Sequence, residues 1–128
     1  TLTARAENFL HGRPDLDDTI RRLQAFEAAD ADVLYAPGLR DLEAIRTVCA
    51  AVGKPVNVIM GIANAPFSVE DLAAAGVRRI SIGSAFARVA LGAFLQAARE
   101  VRERGTFTFA DRAAPFAEIE RFMQGRSS

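Results

Sequence analysis

The stretch Thr1-Leu2-Thr3-Ala4-Arg5-Ala6-Glu7 alternates strictly between polar and apolar side chains. Successive side chains of a strand point to opposite faces of its sheet. Leu2, Ala4 and Ala6 can therefore pack under helices while two hydroxyls, a guanidinium and a carboxylate face the other way. That polar row decides the fold. Central strands of open parallel sheets are covered on both faces and read as apolar throughout, whereas a polar row on one face suits the interior of a closed barrel. The strand starts at the first residue, with neither Met nor a cap before it, so the chain is expected to be a segment of something larger.

Three further runs read as strands: Asp32 to Ala36, Pro55 to Met60 and Arg79 to Gly83. Each of the four is followed by a helical pattern. The first helix is expected to use Asp15 as its N-cap, with Asp18 three residues on and an apolar stripe at Leu16, Ile20, Leu23 and Phe26. The second is expected from about Leu39, with Leu42, Ile45, Cys49 and Val52 on one face and a stop at Gly53. The third opens at Ser68 with Asp71 as an imperfect capping box and closes at Gly76. The fourth runs from Ser84 to Arg104 and ends at Gly105; a last amphipathic helix starts at Asp111 and uses Phe116, Ile119, Phe122 and Met123, before a frayed tail from Gly125 to Ser128. Alternating strand and helix make the sheet parallel. An open doubly wound sheet and half of an eight-stranded barrel both satisfy that order. The polar row favours the barrel, and 128 residues against the about 250 of a complete barrel make it a half.

Composition narrows the function classes. Half the residues are hydrophobic and a quarter charged, which is the balance of a globular domain. Sixteen basic residues offset sixteen acidic ones, so nothing favours nucleic acid or an anionic membrane as partner. The apolar stretches are broken by Arg or Gly well short of a membrane span. One cysteine, Cys49, excludes an internal disulfide and has no His or Cys at a zinc spacing. A reducing, cytoplasmic setting is the expectation.

Barrel chemistry sits where strands end and βα loops begin. The residues there are Arg5, Glu7, Asn8, His11 and Arg13 after the first strand; Tyr35, Pro37, Gly38 and Arg40 after the second; Asn57, Gly61 and Asn64 on or after the third; and Gly83, Ser84 and Arg88 after the fourth. Arg5 shares the inward parity, and its planar fork suits a carboxylate or phosphonate. The alternative is a structural ion pair with Glu7, which is read either as the group orienting Arg5 or only as its partner. His11 is read as a solvated loop residue, Cys49 as a buried thiol, and Tyr35 as filling a core layer. Asn57 alternates with Val56 and Val58 and so points inward, where its amide needs a partner, from substrate or from a neighbouring side chain. Gly61 and Gly83-Ser84 leave backbone amides uncovered, for phosphate or for close packing. No carboxylate cluster offers a metal site, since Asp15, Asp17 and Asp18 open a helix.

Taken together, the segments Thr3-Ala4-Arg5-Ala6-Glu7, Gly12-Arg13-Pro14-Asp15-Leu16-Asp17, Ala31-Asp32-Val33-Leu34-Tyr35-Ala36-Pro37-Gly38, Lys54-Pro55-Val56-Asn57-Val58 and Gly76-Val77-Arg78-Arg79-Ile80-Ser81-Ile82-Gly83 resemble the isocitrate lyase and phosphoenolpyruvate mutase superfamily. The likeness is to its carboxyvinyl-carboxyphosphonate phosphorylmutase-like branch. The resemblance implies an α/β fold, the C-terminal half of a (β/α)8 TIM barrel with four βα units plus a C-terminal helix. Residues 1–105 would form strands five to eight with their helices, and residues 106–128 a helical extension exchanged between subunits of a homo-oligomer. It also implies Mg²⁺-assisted making or breaking of C–C or P–C bonds in small anionic α-keto acids through an enolate, with the Mg²⁺ ligands and the catalytic loop outside this segment.

By the same resemblance Arg5 falls at a substrate-binding arginine, and Arg88 lies one position from another. Pro37, Ile59 and Gly61 stand where lyases of the superfamily carry substrate-contacting polar groups, which leaves Asn57 as the replacement contact. The expected substrate-binding set is therefore Arg5, Asn57, Gly61 and Arg88, with Glu7 behind Arg5 and no metal ligand. Two other readings stay open. One is a non-catalytic half-barrel that self-associates to cover its sheet edges; the other is a phosphate-binding barrel of another family.

Overall fold

The computed structural model describes residues 1–62 and 66–125. Four strands, β1 (Thr3–Arg5), β2 (Val33–Tyr35), β3 (Val56–Ile59) and β4 (Arg79–Ser81), form one sheet in the order β1-β2-β3-β4. Every pairing is parallel. Helices α1 (Leu16–Ala28), α2 (Leu42–Ala51) and α3 (Val69–Ala74) connect them, and α4 (Ala85–Arg104), a 3-10 turn (Thr108–Arg112) and α5 (Phe116–Met123) follow. The chain divides into two compact units, Thr1–Phe86 and Ala87–Ser128. All four expected strands are present, each trimmed by a residue or two at its ends.

The first unit is held by one face of the sheet. Leu34, Val56 and Val58 point under the helices and meet Leu23 of α1, Ile45 and Val48 of α2, and Leu72 of α3, all buried. Each fully buried Leu or Ile contributes about 1.5–3 kcal/mol relative to exposure. Ala4 and Ala6 of the opening stretch join this core, as their parity requires, whereas Leu2, ahead of β1, is largely exposed and does not.

The opposite face carries Thr3 and Arg5, Tyr35, Asn57, Arg79 and Ser81, and it is concave. Arg79 Nη1 donates to the Thr3 hydroxyl at 3.0 Å, although β4 and β1 are the two outer strands. Three strand spacings of a flat sheet amount to about 14 Å, more than the two side chains can bridge. The sheet must curl to bring them together, which is the curvature of a half-barrel and settles the choice against an open flat sheet.

Local chemistry explains where the helices begin. The Asp15 carboxylate accepts from Asp18 N–H at 2.9 Å at the head of α1. At α3 the capping box is complete: the Ser68 hydroxyl accepts from Asp71 N–H, and the Asp71 carboxylate accepts from Ser68 N–H. Two expectations need correction. The second helix starts at Leu42 rather than near Leu39, because the Asp41 carboxylate accepts from the N–H groups of Glu43 and Ala44 and so fixes the cap there. The last helix starts at Phe116 rather than Asp111. Residues 108–112 form a 3-10 turn, and Pro115 supplies the cap position; proline lacks the N–H a continuing helix would need and disfavours helical backbone in the residue before it. The tail beyond Gly125 lies outside the described residues.

In the second unit Glu100 is 5% exposed. Its carboxylate accepts from the Thr106 and Thr108 hydroxyls and from Thr108 N–H. Burial alone would raise its pKa; the Thr108 and Thr106 hydrogen bonds outweigh that and hold it below the usual range. This carboxylate fixes the corner after α4, a role its sequence context did not reveal. Phe116, Phe122 and Met123 of α5 are strongly exposed.

Candidate functional site

Strand register assembles the site. Arg5 pairs with Tyr35, Tyr35 with Asn57, and Asn57 with Arg79. One lateral row thus crosses all four strands on the concave face. The sequence parity of β1 and β3 predicted the inward direction of Arg5 and Asn57. The row itself appears only once the strands are paired.

Arg5 stands at the C-terminal end of β1, where barrel sites open. Its Nη2 lies 2.7 Å from the Glu7 carboxylate, so the ion pair expected between them is present. Both side chains are about half exposed. The guanidinium carbon also lies 5.1 Å from the centroid of the Tyr35 ring. Tyr35 is 7% exposed; burial pushes its phenol pKa up, the Arg5 charge opposes that shift and the Glu7 charge adds to it. The ring under Arg5 is a neutral phenol.

His11 Nε2 lies 3.7 Å from Glu7, and His11 is largely exposed. Glu7, Asn8, His11, Arg13 and Arg22 line a shallow cleft of about 400 Å³ between the β1–α1 loop and α1. Asn8 is structural here. Its amide nitrogen donates to the Asp15 carbonyl and to the Thr19 hydroxyl, tying the loop to the first turn of α1.

Asn57 is 3% exposed. Its Nδ2 donates to the Ser81 hydroxyl at 3.0 Å, while Ser81 Oγ reaches the Val58 carbonyl at 3.5 Å. A serine whose one proton points to a carbonyl must accept from its other neighbour, which sets the amide with its nitrogen toward Ser81. Asn57 Oδ1 has no partner among the described residues. A neighbouring inward side chain therefore takes one of the amide's two N–H donors and leaves its oxygen unmet. Ser81 and Arg79 were not singled out in the sequence, although the parity of Arg79-Ile80-Ser81 puts both on the face of Asn57.

Gly61 has φ +75°, and a Cβ there would lie 2.6 Å from Ala85 Cβ. Close packing is enough to require glycine. At Gly83, φ is +56° and a Cβ would meet Ile59 Cδ1 at 3.3 Å. Arg88 is exposed on α4, within the second unit. Asn64 lies outside the described residues. Cys49 is half-buried on α2, where burial raises its pKa and keeps it a thiol.

Residues 1–102 match the family model described as phosphoenolpyruvate phosphomutase. The chain belongs to the phosphoenolpyruvate phosphomutase family. Among solved structures, a protein of Burkholderia cenocepacia J2315 provisionally designated a lyase/mutase is 58% identical with a TM-score of 0.87, over 96% of this chain and 44% of its own. A second from the same organism, provisionally designated a phosphonomutase, is 39% identical with a TM-score of 0.61, over 66% of this chain and 33% of its own. An oxaloacetate acetylhydrolase bound to 3,3-difluorooxalacetate superposes with a TM-score of 0.76 at 24% identity, over 98% of this chain and 43% of its own; that likeness speaks to fold alone. No curated protein matches. The chain spans less than half the length of these structures, as a half-barrel of a phosphoenolpyruvate phosphomutase fold would.

The family's implied magnesium ion can be tested against the residues present. Among the described residues no three His, Cys, Asp or Glu side chains converge to hold a metal ion. Asp15 caps α1, and Asp18 is engaged by Arg21 and Arg22. The described residues do not fit a magnesium centre, and among them no helix is long and apolar enough to cross a membrane.

Proposed function

We propose that this chain forms the C-terminal half of the barrel of an enzyme that makes or breaks C–C or P–C bonds in small α-keto acids, of oxaloacetate or phosphonopyruvate type, through an enolate. Family membership supports the reaction class. The observation that carries the assignment to residues is Arg5, fixed by Glu7 at 2.7 Å on the concave face at the C-terminal end of β1.

In this reading Arg5 grips a carboxylate or phosphonate of the keto acid through the N–H groups Glu7 leaves free. Asn57, two strands along in the same lateral row, is read as a second substrate contact. Gly61 belongs to the reading through its backbone, and Arg88 on α4 is kept as a substrate-binding residue on the family resemblance alone. Magnesium enters only as an ion bound by residues outside those described, and no step is assigned to it. The compartment proposed is the cytoplasm. We read the uncovered apolar residues of α5 as an assembly face of a homo-oligomer, in which residues 106–128 extend from the half-barrel of 1–105.

The test is turnover by the intact protein, with Mg²⁺ and with chelator, on oxaloacetate and on phosphonopyruvate. Consumption of either, abolished by Arg5→Ala in a protein that still folds, is the expected result. Turnover that survives Arg5→Ala would overturn the site. Thermal stabilisation by a sugar phosphate but not by oxalate would instead favour a phosphate-binding barrel.

A further inference from the structure

We infer that Tyr35 is a positioning residue: its ring forms the floor on which the Arg5 guanidinium is held to receive an anionic substrate group. The inference rests on the functional reading above and extends it to a residue that reading does not use.

The placement follows from the register. Arg5 and Tyr35 are direct lateral partners on adjacent parallel strands, so both side chains leave the sheet on the same face. Tyr35 is buried and cannot swing away. Arg5 is half-exposed, and an arginine in water otherwise samples many rotamers. The guanidinium carbon 5.1 Å from the ring centroid is within the range of a cation–π contact.

The two contacts on Arg5 are chemically different. Glu7 takes one edge of the fork and offsets its charge. A second carboxylate in place of Tyr35 would fix the guanidinium as well, but would leave the site net negative and repel the anion it is meant to bind. A neutral ring holds the cation without cancelling it. Tyr35 suits this because burial keeps its phenol protonated.

An Arg5 held this way contacts the anion equally in the ground and transition states, so loss of the floor should raise KM and leave kcat nearly unchanged. In the intact protein, Tyr35→Leu is expected to weaken oxalate binding, read by calorimetry, by between about two- and thirty-fold. A general loss of packing could also produce that. The decisive series therefore replaces Tyr35 with phenylalanine and then with phenylalanines bearing more fluorine atoms, which drain the ring face of negative potential with little change in shape.

Oxalate affinity, and 1/KM for oxaloacetate, are expected to fall stepwise along the series while kcat stays level. A flat series, with Arg5→Ala still destroying binding, overturns the role of Tyr35 and leaves the functional reading standing. If Arg5→Ala itself binds oxalate like the wild type, the functional reading fails, and the role of Tyr35 with it.

Discussion

The two faces of the sheet are made from alternate residues of the same short strands, and they differ in almost every physical respect. On the helix-covered face, Leu34, Val56 and Val58 meet apolar side chains from three helices, and the fully buried hydroxyl of Thr19 on α1 is bonded to Asn8 and to the Asp15 carbonyl. On the concave face Arg79 donates to Thr3, Asn57 donates to Ser81 and Arg5 pairs with Glu7; Asn57 Oδ1, like Asn8 Oδ1 in the β1–α1 loop, is buried with no partner among the described residues. The first face stabilises the unit. The second is specified by hydrogen bonds and strand register as well as by burial.

If that division is right, changes on the two faces should separate stability from binding. The largest expected effect is on the covered face. Leu34 is fully buried at the middle of the sheet, and Leu34→Ala should cost about 2–5 kcal/mol in denaturant unfolding; a cost below one kcal/mol would mean that this face is not what holds the unit. On the concave face, Arg5→Ala should do the reverse. Oxalate binding should fall by about one to two orders of magnitude, as for a lost hydrogen bond to a charged group. The melting temperature should barely move, because an exposed pair such as Arg5–Glu7 contributes little to stability.

A smaller effect probes the boundary between the two behaviours. Ser81→Ala removes the acceptor of the buried Asn57 amide and should cost about 1–3 kcal/mol, whereas Asn57→Leu combined with Ser81→Ala removes both partners and should cost less than Ser81→Ala alone. Chemical unfolding of the three proteins decides it. If the double variant is the least stable, Asn57 is a packing residue and not a polar one.

The smallest expected effect lies away from both faces, at the head of α3. The Ser68 N–H bond, then the Ser68 hydroxyl, hold the Asp71 carboxyl below its usual range. A carboxyl whose folded pKa is depressed contributes stability above its unfolded pKa and loses it as pH falls through the folded value. The capping contribution should thus be intact at neutral pH and fade only below about pH 4. Asp71→Asn should flatten the pH dependence of stability in that acid window and leave oxalate affinity at neutral pH unchanged. Equal acid sensitivity in the variant would assign the effect to another carboxyl.

How much of this was legible in the sequence follows from the range over which each feature is encoded. Strand parity and the caps at Asp15 and Ser68 are local, and the structure matches them. The start of α2 was misplaced because the apolar periodicity runs back to Leu39, while a single carboxylate, Asp41, fixes the actual cap. The late start of α5 reflects Pro115 interrupting an otherwise continuous amphipathic pattern. In the site, Arg5 and Asn57 were readable from their own strands. The contact of Tyr35 with Arg5 and that of Ser81 with Asn57 were not, since lateral register belongs to pairs of strands distant in sequence. Arg79 reaching Thr3 depends on the curl of the whole sheet and could be read from no segment alone.

The central claim is that the concave face holds a keto-acid anion on Arg5. A crystal structure of the intact protein grown with Mg²⁺ and oxalate tests it most directly. The account predicts an oxalate carboxylate within hydrogen-bonding distance of the Arg5 guanidinium, which still lies over Tyr35. Oxalate bound elsewhere, with Arg5 paired to Glu7 and touching no ligand, would contradict it.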